Sequence, residues 1–136
     1  MRAAQGAIEI LCGGPNTDGV IRLGDRNDRV VHRSYNSDGI VYGGRGDDDI
    51  LSDGLAASAY GGPGDDRLLI GSNGASVGDG GPGDDRIEAS GPGVNLTGGP
   101  GDDHLSESGG KPSTSTLDGG PGNDLLDTTI AGVPGT

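Results

Sequence analysis

Single aliphatic residues recur along the chain with polar and turn-forming residues between them. Ile10, Val20, Val30, Ile40, Ile50, Ala59, Leu68, Val77, Ile87, Leu96, Leu105, Leu117 and Leu126 follow one another at 9 or 10 residues, except for a longer step from Leu105 to Leu117. An isolated apolar beat at this interval has no 3.6-residue period, which excludes an amphipathic helix. Bounded by Gly, Asp, Asn and Ser, it predicts very short strands separated by turns, with each aliphatic pointing inward. The longer step holds the stretch SESGGKPSTST, whose composition predicts a loop on the side opposite the glycine-rich turns.

The turns themselves repeat. YGGRGDDDIL at 42–51, YGGPGDDRLL at 60–69, DGGPGDDRIE at 79–88, TGGPGDDHLS at 97–106 and DGGPGNDLLD at 118–127 are five copies of one pattern. Their first glycines are Gly43, Gly61, Gly80, Gly98 and Gly119, at steps of 18, 19, 18 and 21 residues. A weaker sixth copy, LGDRNDRVV from Leu23, keeps the second glycine, the Asp at place six and the aliphatic at place eight. Self-similarity at a fixed period of this length is the mark of a stacked-repeat architecture.

Composition explains why stacking is needed. With 31 Gly and 8 Pro among 136 residues, 29% hydrophobic residues and no Phe or Trp, the chain cannot build an ordinary apolar core. Without a period it would be read as disordered. The formal net charge is -12, and 18 of the 21 acidic residues are Asp. Such a surface repels phosphate, which argues against nucleic acid and for cations as partners. The single cysteine, Cys12, excludes an internal disulfide. No segment approaches the roughly 20 apolar residues of a membrane helix, and MRAAQGAIEILCGG makes no convincing secretory signal. His32 and His104 are expected on outward-facing places, and no nucleophile, base and orienting group come together, so the chain is read as a non-enzyme.

The repeated GGxGxDxUx, with U a bulky aliphatic, resembles the nonapeptide of the hemolysin-type (RTX) calcium-binding repeats. The resemblance runs over about residues 13–127 and is weaker in GGPNTDGV from Gly13, LGDRNDRV from Leu23 and RSYNSDGI from Arg33. It implies an all-β fold, a right-handed parallel β-roll of about six coils of 18–20 residues. Residues 1–12 are then a lead-in or first strand and 128–136 a tail. Each residue type has a physical role in that fold. Glycine at places one, two and four is expected to supply backbone conformations closed to most side chains. Pro63, Pro82, Pro100 and Pro121 at place three stiffen the loop. The aliphatic at place eight faces inward, and places seven and nine face outward.

Stacking at about 4.8 Å puts Asp28, Asp48, Asp66, Asp85, Asp103 and Asp124 in one column. Neighbouring carboxylates repel by about 1 kcal/mol in water and several times that near a protein surface, so the bare column opposes folding until a cation enters it. Hard, oxygen-only ligands on a flexible loop favour calcium. The resemblance implies that each ion takes carbonyls at places two and four and the Asp of one loop, then carbonyls at places one and three and the Asp of the next. One set is Gly44, Gly46 and Asp48 with Gly61, Pro63 and Asp66. The second is Gly62, Gly64 and Asp66 with Gly80, Pro82 and Asp85, and the third is Gly81, Gly83 and Asp85 with Gly98, Pro100 and Asp103. The fourth is Gly99, Gly101 and Asp103 with Gly119, Pro121 and Asp124. Between Asp28 and Asp48, Arg26 replaces the fourth glycine, which departs from the pattern, so about four to five ions in one column are expected. On the opposite edge Ala57, Ala75 and Val94 follow Asp18 and Asp38, leaving at most one ion there.

Taken together, the expectation is a calcium-binding structural module of a secreted, extracellular bacterial protein, folding when calcium binds. The alternatives are a carbohydrate- or surface-binding, adhesin-like module and the C-terminal part of a secreted protease, lipase or toxin. Apolar residues at outward places of the first coils, Ile21, Val31, Val41, Leu51, Tyr60 and Leu69, suggest a flank that docks a preceding catalytic or adhesive domain or a second copy.

Overall fold

The computed structural model describes residues 7–12, 19–34, 38–108 and 114–129. Thirteen strands succeed one another: β1 Ala7–Cys12, β2 Gly19–Asp25, β3 Arg29–Ser34, β4 Gly39–Arg45, β5 Asp49–Gly54, β6 Ala57–Tyr60, β7 Arg67–Ser72, β8 Ser76–Asp79, β9 Arg86–Ser90, β10 Val94–Thr97, β11 His104–Ser108, β12 Thr116–Asp118 and β13 Leu125–Thr129. The odd-numbered strands form a seven-stranded sheet and the even-numbered strands a six-stranded one, both in chain order. All pairings are parallel, each strand bonding to the strand one turn away. The molecule is therefore a β-solenoid. Its six Asp loops are separated by five turns of 20, 18, 19, 18 and 21 residues. The strands extend beyond the expected limits of the repeat region: Ala7–Cys12 is the first strand, and the last continues to Thr129. Among the described residues there is no helix, and hence none long and apolar enough to cross a membrane.

Between the sheets lies a thin core. The odd sheet contributes Val30, Ile50, Leu68, Ile87 and Leu105, all fully buried, with Ile70 and Ala89 behind them. The even sheet contributes Val41, Ala59 and Leu96, with Ala57 and Val94. Large residues on one side are matched by small ones on the other. A side chain at Gly78 would run into Ile70, Leu96 and Ile87, so its absence makes room for those three.

The aliphatic beat predicted the odd sheet from Val30 onward and was one residue off in part of the even sheet; on β1 it is Ile8 that pairs with Val30, while Ile10 pairs with His32. Val20, Ile40 and Val77 pair laterally with Ile40, Ser58 and Asn95, in a file that faces outward; Val20 is 53% exposed. The inward file is Ile21, Val41, Ala59, Gly78, Leu96 and Leu117. Each of the last five stands two residues before the first glycine of the following loop, so the loop and not the bulkiest residue sets the register. Two of the expected flank residues, Ile21 and Val41, thus belong to the core side.

His32 also differs from expectation. It is completely buried, facing the core from β3, with Nδ1 3.3 Å from Ser52 Oγ and Nε2 unpaired. Any side chain on Gly39 would overlap the imidazole, so Gly39 supplies the space that lets a ring fit inside so narrow a coil. Burial holds its pKa below the usual value, while the nearby Asp53 charge raises it. His104 does lie at the surface, where its Nδ1 is 3.1 Å from Arg86 Nη1.

The remaining outward apolar residues separate into two groups. Val31, Leu51 and Leu69 form a file on the odd sheet beside Arg29, Asp49 and Arg67, and together they line a hollow of about 100 Å³. On the even sheet Tyr42 and Tyr60 stack with centroids 4.9 Å apart, and the Arg22 guanidinium lies 5.0 Å from the Tyr42 centroid. At the C-terminal end Leu126 occupies the inward file but is 46% exposed, since no described strand lies beyond β13.

The register makes a direct prediction. Val41→Thr buries a hydroxyl and should cost about 1 to 3 kcal/mol. Ile40→Thr, on the outer face, should change stability by no more than about 0.5 kcal/mol. Denaturant midpoints of the two variants measure the difference; equal losses would place the inward file at Ile40 instead.

Candidate metal centre: a column of buried carboxylates

Each loop turns the chain from an even strand to the next odd strand, and the loops stack along one edge. At place six the stacking is tied by the aspartates themselves. The amide of Asp28 donates to Asp48 Oδ1 at 2.8 Å, Asp48 to Asp66 at 2.7 Å, Asp66 to Asp85 at 2.7 Å, Asp85 to Asp103 at 2.8 Å and Asp103 to Asp124 at 3.0 Å. One oxygen of each carboxylate is thereby fixed toward the preceding loop. The second oxygen is different. Oδ2 of Asp48, Asp66, Asp85 and Asp103 is buried with no hydrogen-bond partner, in side chains that are 2% exposed. A buried, unpaired carboxylate oxygen is among the costlier groups a protein can hold.

Main-chain oxygens surround these atoms. Between the loops 43–48 and 61–66, the Gly61 carbonyl accepts from the Gly44 amide at 2.9 Å and the Pro63 carbonyl from the Gly46 amide at 3.0 Å, so both point back into the gap. From the other side, the carbonyls of Gly44 and Gly46 point at the α-carbons of Gly62 and Gly64. The gap thus brings together the Gly44, Gly46, Gly61 and Pro63 carbonyls and the Asp48 and Asp66 carboxylates, the residues that the resemblance groups together. The same arrangement recurs for Gly62, Gly64 and Asp66 with Gly80, Pro82 and Asp85, for Gly81, Gly83 and Asp85 with Gly98, Pro100 and Asp103, and for Gly99, Gly101 and Asp103 with Gly119, Pro121 and Asp124. Among the described residues no three His, Cys, Asp or Glu side chains come together to hold a metal ion, so any cation here would depend on these carbonyls.

The glycines serve two purposes. At places two and four they adopt positive φ, as in Gly62 at 106° and Gly64 at 142°, where a side chain would also strike the carbonyl of the loop before. Place one is otherwise. Gly43, Gly61, Gly80, Gly98 and Gly119 are not among the positive-φ glycines, contrary to the expectation that conformation requires them. What excludes a side chain there is space, because a Cβ would overlap Oδ2 of Asp48, Asp66, Asp85, Asp103 or Asp124 in the same loop.

The first gap keeps its hydrogen bonds but not every carbonyl direction. The Arg26 amide donates to the Arg45 carbonyl at 2.7 Å, and the Gly24 carbonyl points at Gly44 as in later loops. A Cβ on Gly46 would meet the Arg26 carbonyl carbon as closely as its oxygen, whereas in the later loops the oxygen is the nearer atom, so the Arg26 carbonyl is turned relative to the glycines at place four. On the opposite edge Ala57 and Val94 are buried and Ala75 and Asp38 exposed, while Asp18 lies outside the described residues.

A second ladder was not legible beforehand. At place five, Asp47, Asp65, Asp84, Asp102 and Asn123 donate their amides to Oδ1 of Asn27, Asp47, Asp65, Asp84 and Asp102, each at 2.9 Å. This outer rank is exposed and every bond in it has its partner. The recurrence of Asp or Asn at this place in all six loops is the signal in the sequence that points to it.

No protein-family model, curated protein or solved structure matches this chain.

Burial is the first cause of a raised pKa along the inner column, partly offset by the amide bond each carboxylate accepts and reinforced by neighbouring Asp charges. It takes Asp48 to about 6 and Asp66 and Asp85 to about 7, and it raises Asp103 as well. Without a cation, the folded chain holds protons that the unfolded chain releases near pH 4. The resulting stabilisation is complete below about pH 4 and is lost as pH rises through about 6 to 7. In chelator, circular dichroism should show β structure increasing from pH 8 to pH 4; stability rising with pH over that range would contradict the column.

The two ranks are separable by mutation. Asp85→Asn removes charge from two gaps of the inner column, whereas Asp84→Asn keeps an amide-accepting oxygen in the outer ladder, as Asn27 does. Calcium affinity should fall at least tenfold in the first and less than twofold in the second, measured calorimetrically. Equal losses would show that the register of the column is wrong.

Proposed function

We propose that the chain is a calcium-binding structural module of a secreted protein, which becomes ordered when calcium enters the Asp column. The observation that carries the reading is the set of four buried Oδ2 atoms without partners, each beside main-chain carbonyls facing the same gap. A bound divalent cation would supply the positive charge that these atoms lack. The residues suited to hold it are Asp48, Asp66, Asp85, Asp103 and Asp124 through carboxylates, and the carbonyls at places one to four through their free lone pairs. An all-oxygen set containing flexible carbonyls fits calcium better than magnesium, which requires near-octahedral geometry and keeps its waters.

Residues of the chain do the remaining work. The place-five ladder fixes the loop spacing, the positive-φ glycines aim the carbonyls, and the inward aliphatics hold the sheets together. Each interior Asp offers one oxygen to the gap before it and one to the gap after, which couples neighbouring sites and makes ordering cooperative. Sites of this kind in extracellular modules bind at about 0.1 to 1 mM, a concentration found outside cells, which is the ground for the secreted reading. The likeness of the loops to the hemolysin-type repeats supports the same conclusion.

A calcium titration followed by circular dichroism at neutral pH, with magnesium as control, tests it. The expected result is a disordered chain in chelator and a cooperative rise of β signal within about 0.1 to 1 mM calcium. A folded spectrum unchanged by excess chelator, or an equal response to magnesium, would overturn the proposal.

A further inference from the structure

The first gap differs from the other four in one residue that matters to an ion. By strand register Leu23 lies beside Gly43, since Arg22 pairs with Tyr42 and Gly24 with Gly44. Leu23 thus occupies place one, where every later loop has glycine. It is 5% exposed and belongs to the core. At Gly43 an added Cβ would overlap Asp48 Oδ2 and come within 2.6 Å of the Gly61 carbonyl oxygen. In the first loop the equivalent place carries a real Cβ, that of Leu23. Oδ2 is buried and unpaired in Asp48, Asp66, Asp85 and Asp103; the two ends of the column, Asp28 at 7% exposure and Asp124, have no such atom.

We propose that Leu23 closes the cation column at its first gap, so that the chain holds four ions, one for each unpaired Oδ2, and none between Asp28 and Asp48. This rests on the calcium reading given above and adds what sets the number and extent of its sites. The determinant is the Cβ at place one; the turned Arg26 carbonyl is the competing cause, and a fifth ion in Leu23→Gly, where Arg26 is retained, separates the two. The first loop then joins the column through the Asp28 amide, as a lid of ordinary packing on a stack of ions.

The test counts ions. Bound calcium per chain is measured by equilibrium dialysis with elemental analysis in saturating calcium, for the intact chain, Leu23→Gly, Leu23→Ala and Gly43→Ala, with circular dichroism reporting folding. The intact chain should hold four, Leu23→Gly five, Leu23→Ala four and Gly43→Ala three. Leu23→Ala keeps the Cβ while losing most of the apolar side chain, so it separates space over the carboxylate from core packing. Gly43→Ala carries the proposal if Leu23→Gly fails to fold, since Gly43 is not at positive φ and alanine there brings a Cβ without backbone strain. Five ions in the intact chain, a fifth in Leu23→Ala, no gain in folded Leu23→Gly, or four retained in Gly43→Ala would each overturn it. No bound calcium in the intact chain is a different outcome, which removes the calcium reading itself.

Discussion

The structure depends on keeping carboxylates in a file where water does not reach them. Four side chains at 2% exposure each bring an oxygen that no hydrogen bond satisfies, at the separation of adjacent parallel strands. In most folds such a file would be removed by selection or relieved by rotation into solvent. Here rotation is prevented, because the other oxygen of each carboxylate accepts the amide of the loop before it. The same bond that stacks the loops therefore aims the unpaired oxygen inward. Order and repulsion arise from one interaction, and the charge must be met by a proton or by a metal ion. Protons meet it at low pH, as the raised pKa values of Asp66 and Asp85 indicate. Above that range a cation is the proposed means.

The weak core explains why this arrangement governs folding. Its largest residues are single aliphatics separated by a strand spacing, faced by Ala59 and Gly78 across the sheets. Small interiors of this kind bury too little apolar area to offset the ordering of so many glycines. Surface ion pairs such as Arg29 with Asp49 at 3.3 Å and Arg86 with Glu88 at 2.7 Å are largely exposed and contribute little. Stability must come from the repeated edge, and a solenoid in which each turn touches only its neighbours transmits it from loop to loop.

Much of this was legible in the sequence because the repeat fixes spacing. Five near-identical loops placed Asp48, Asp66, Asp85, Asp103 and Asp124 in one file without any knowledge of coordinates, whereas the carbonyl sets around them came from the resemblance of the loops to the hemolysin-type repeats and not from their spacing. The aliphatic at place eight was equally plain, since it follows the loop at a constant distance. The half-repeats were less legible: where two aliphatics adjoin, as in Ile40 and Val41, hydrophobicity alone does not choose between faces, and pairing with Ala59 decides. His32 was misplaced for a related reason. It lies two residues beyond Val30 on a strand longer than the nonapeptide model allows, so it points inward again, into space that Gly39 leaves open. The role of glycine at place one was hidden because conformational freedom and lack of volume leave the same letter in a sequence. Only the φ values and the contacts at Gly43 and Gly61 separate them.

The central claim concerns where positive charge resides, and a crystal structure grown in calcium, with anomalous scattering recorded at long wavelength, tests it most directly. The account predicts a single file of peaks along one edge, lying between Asp48 and Asp66, Asp66 and Asp85, Asp85 and Asp103, and Asp103 and Asp124. Ordered loops with no peaks in these gaps, or peaks confined to the outer rank of Asp47, Asp65, Asp84 and Asp102, would contradict it.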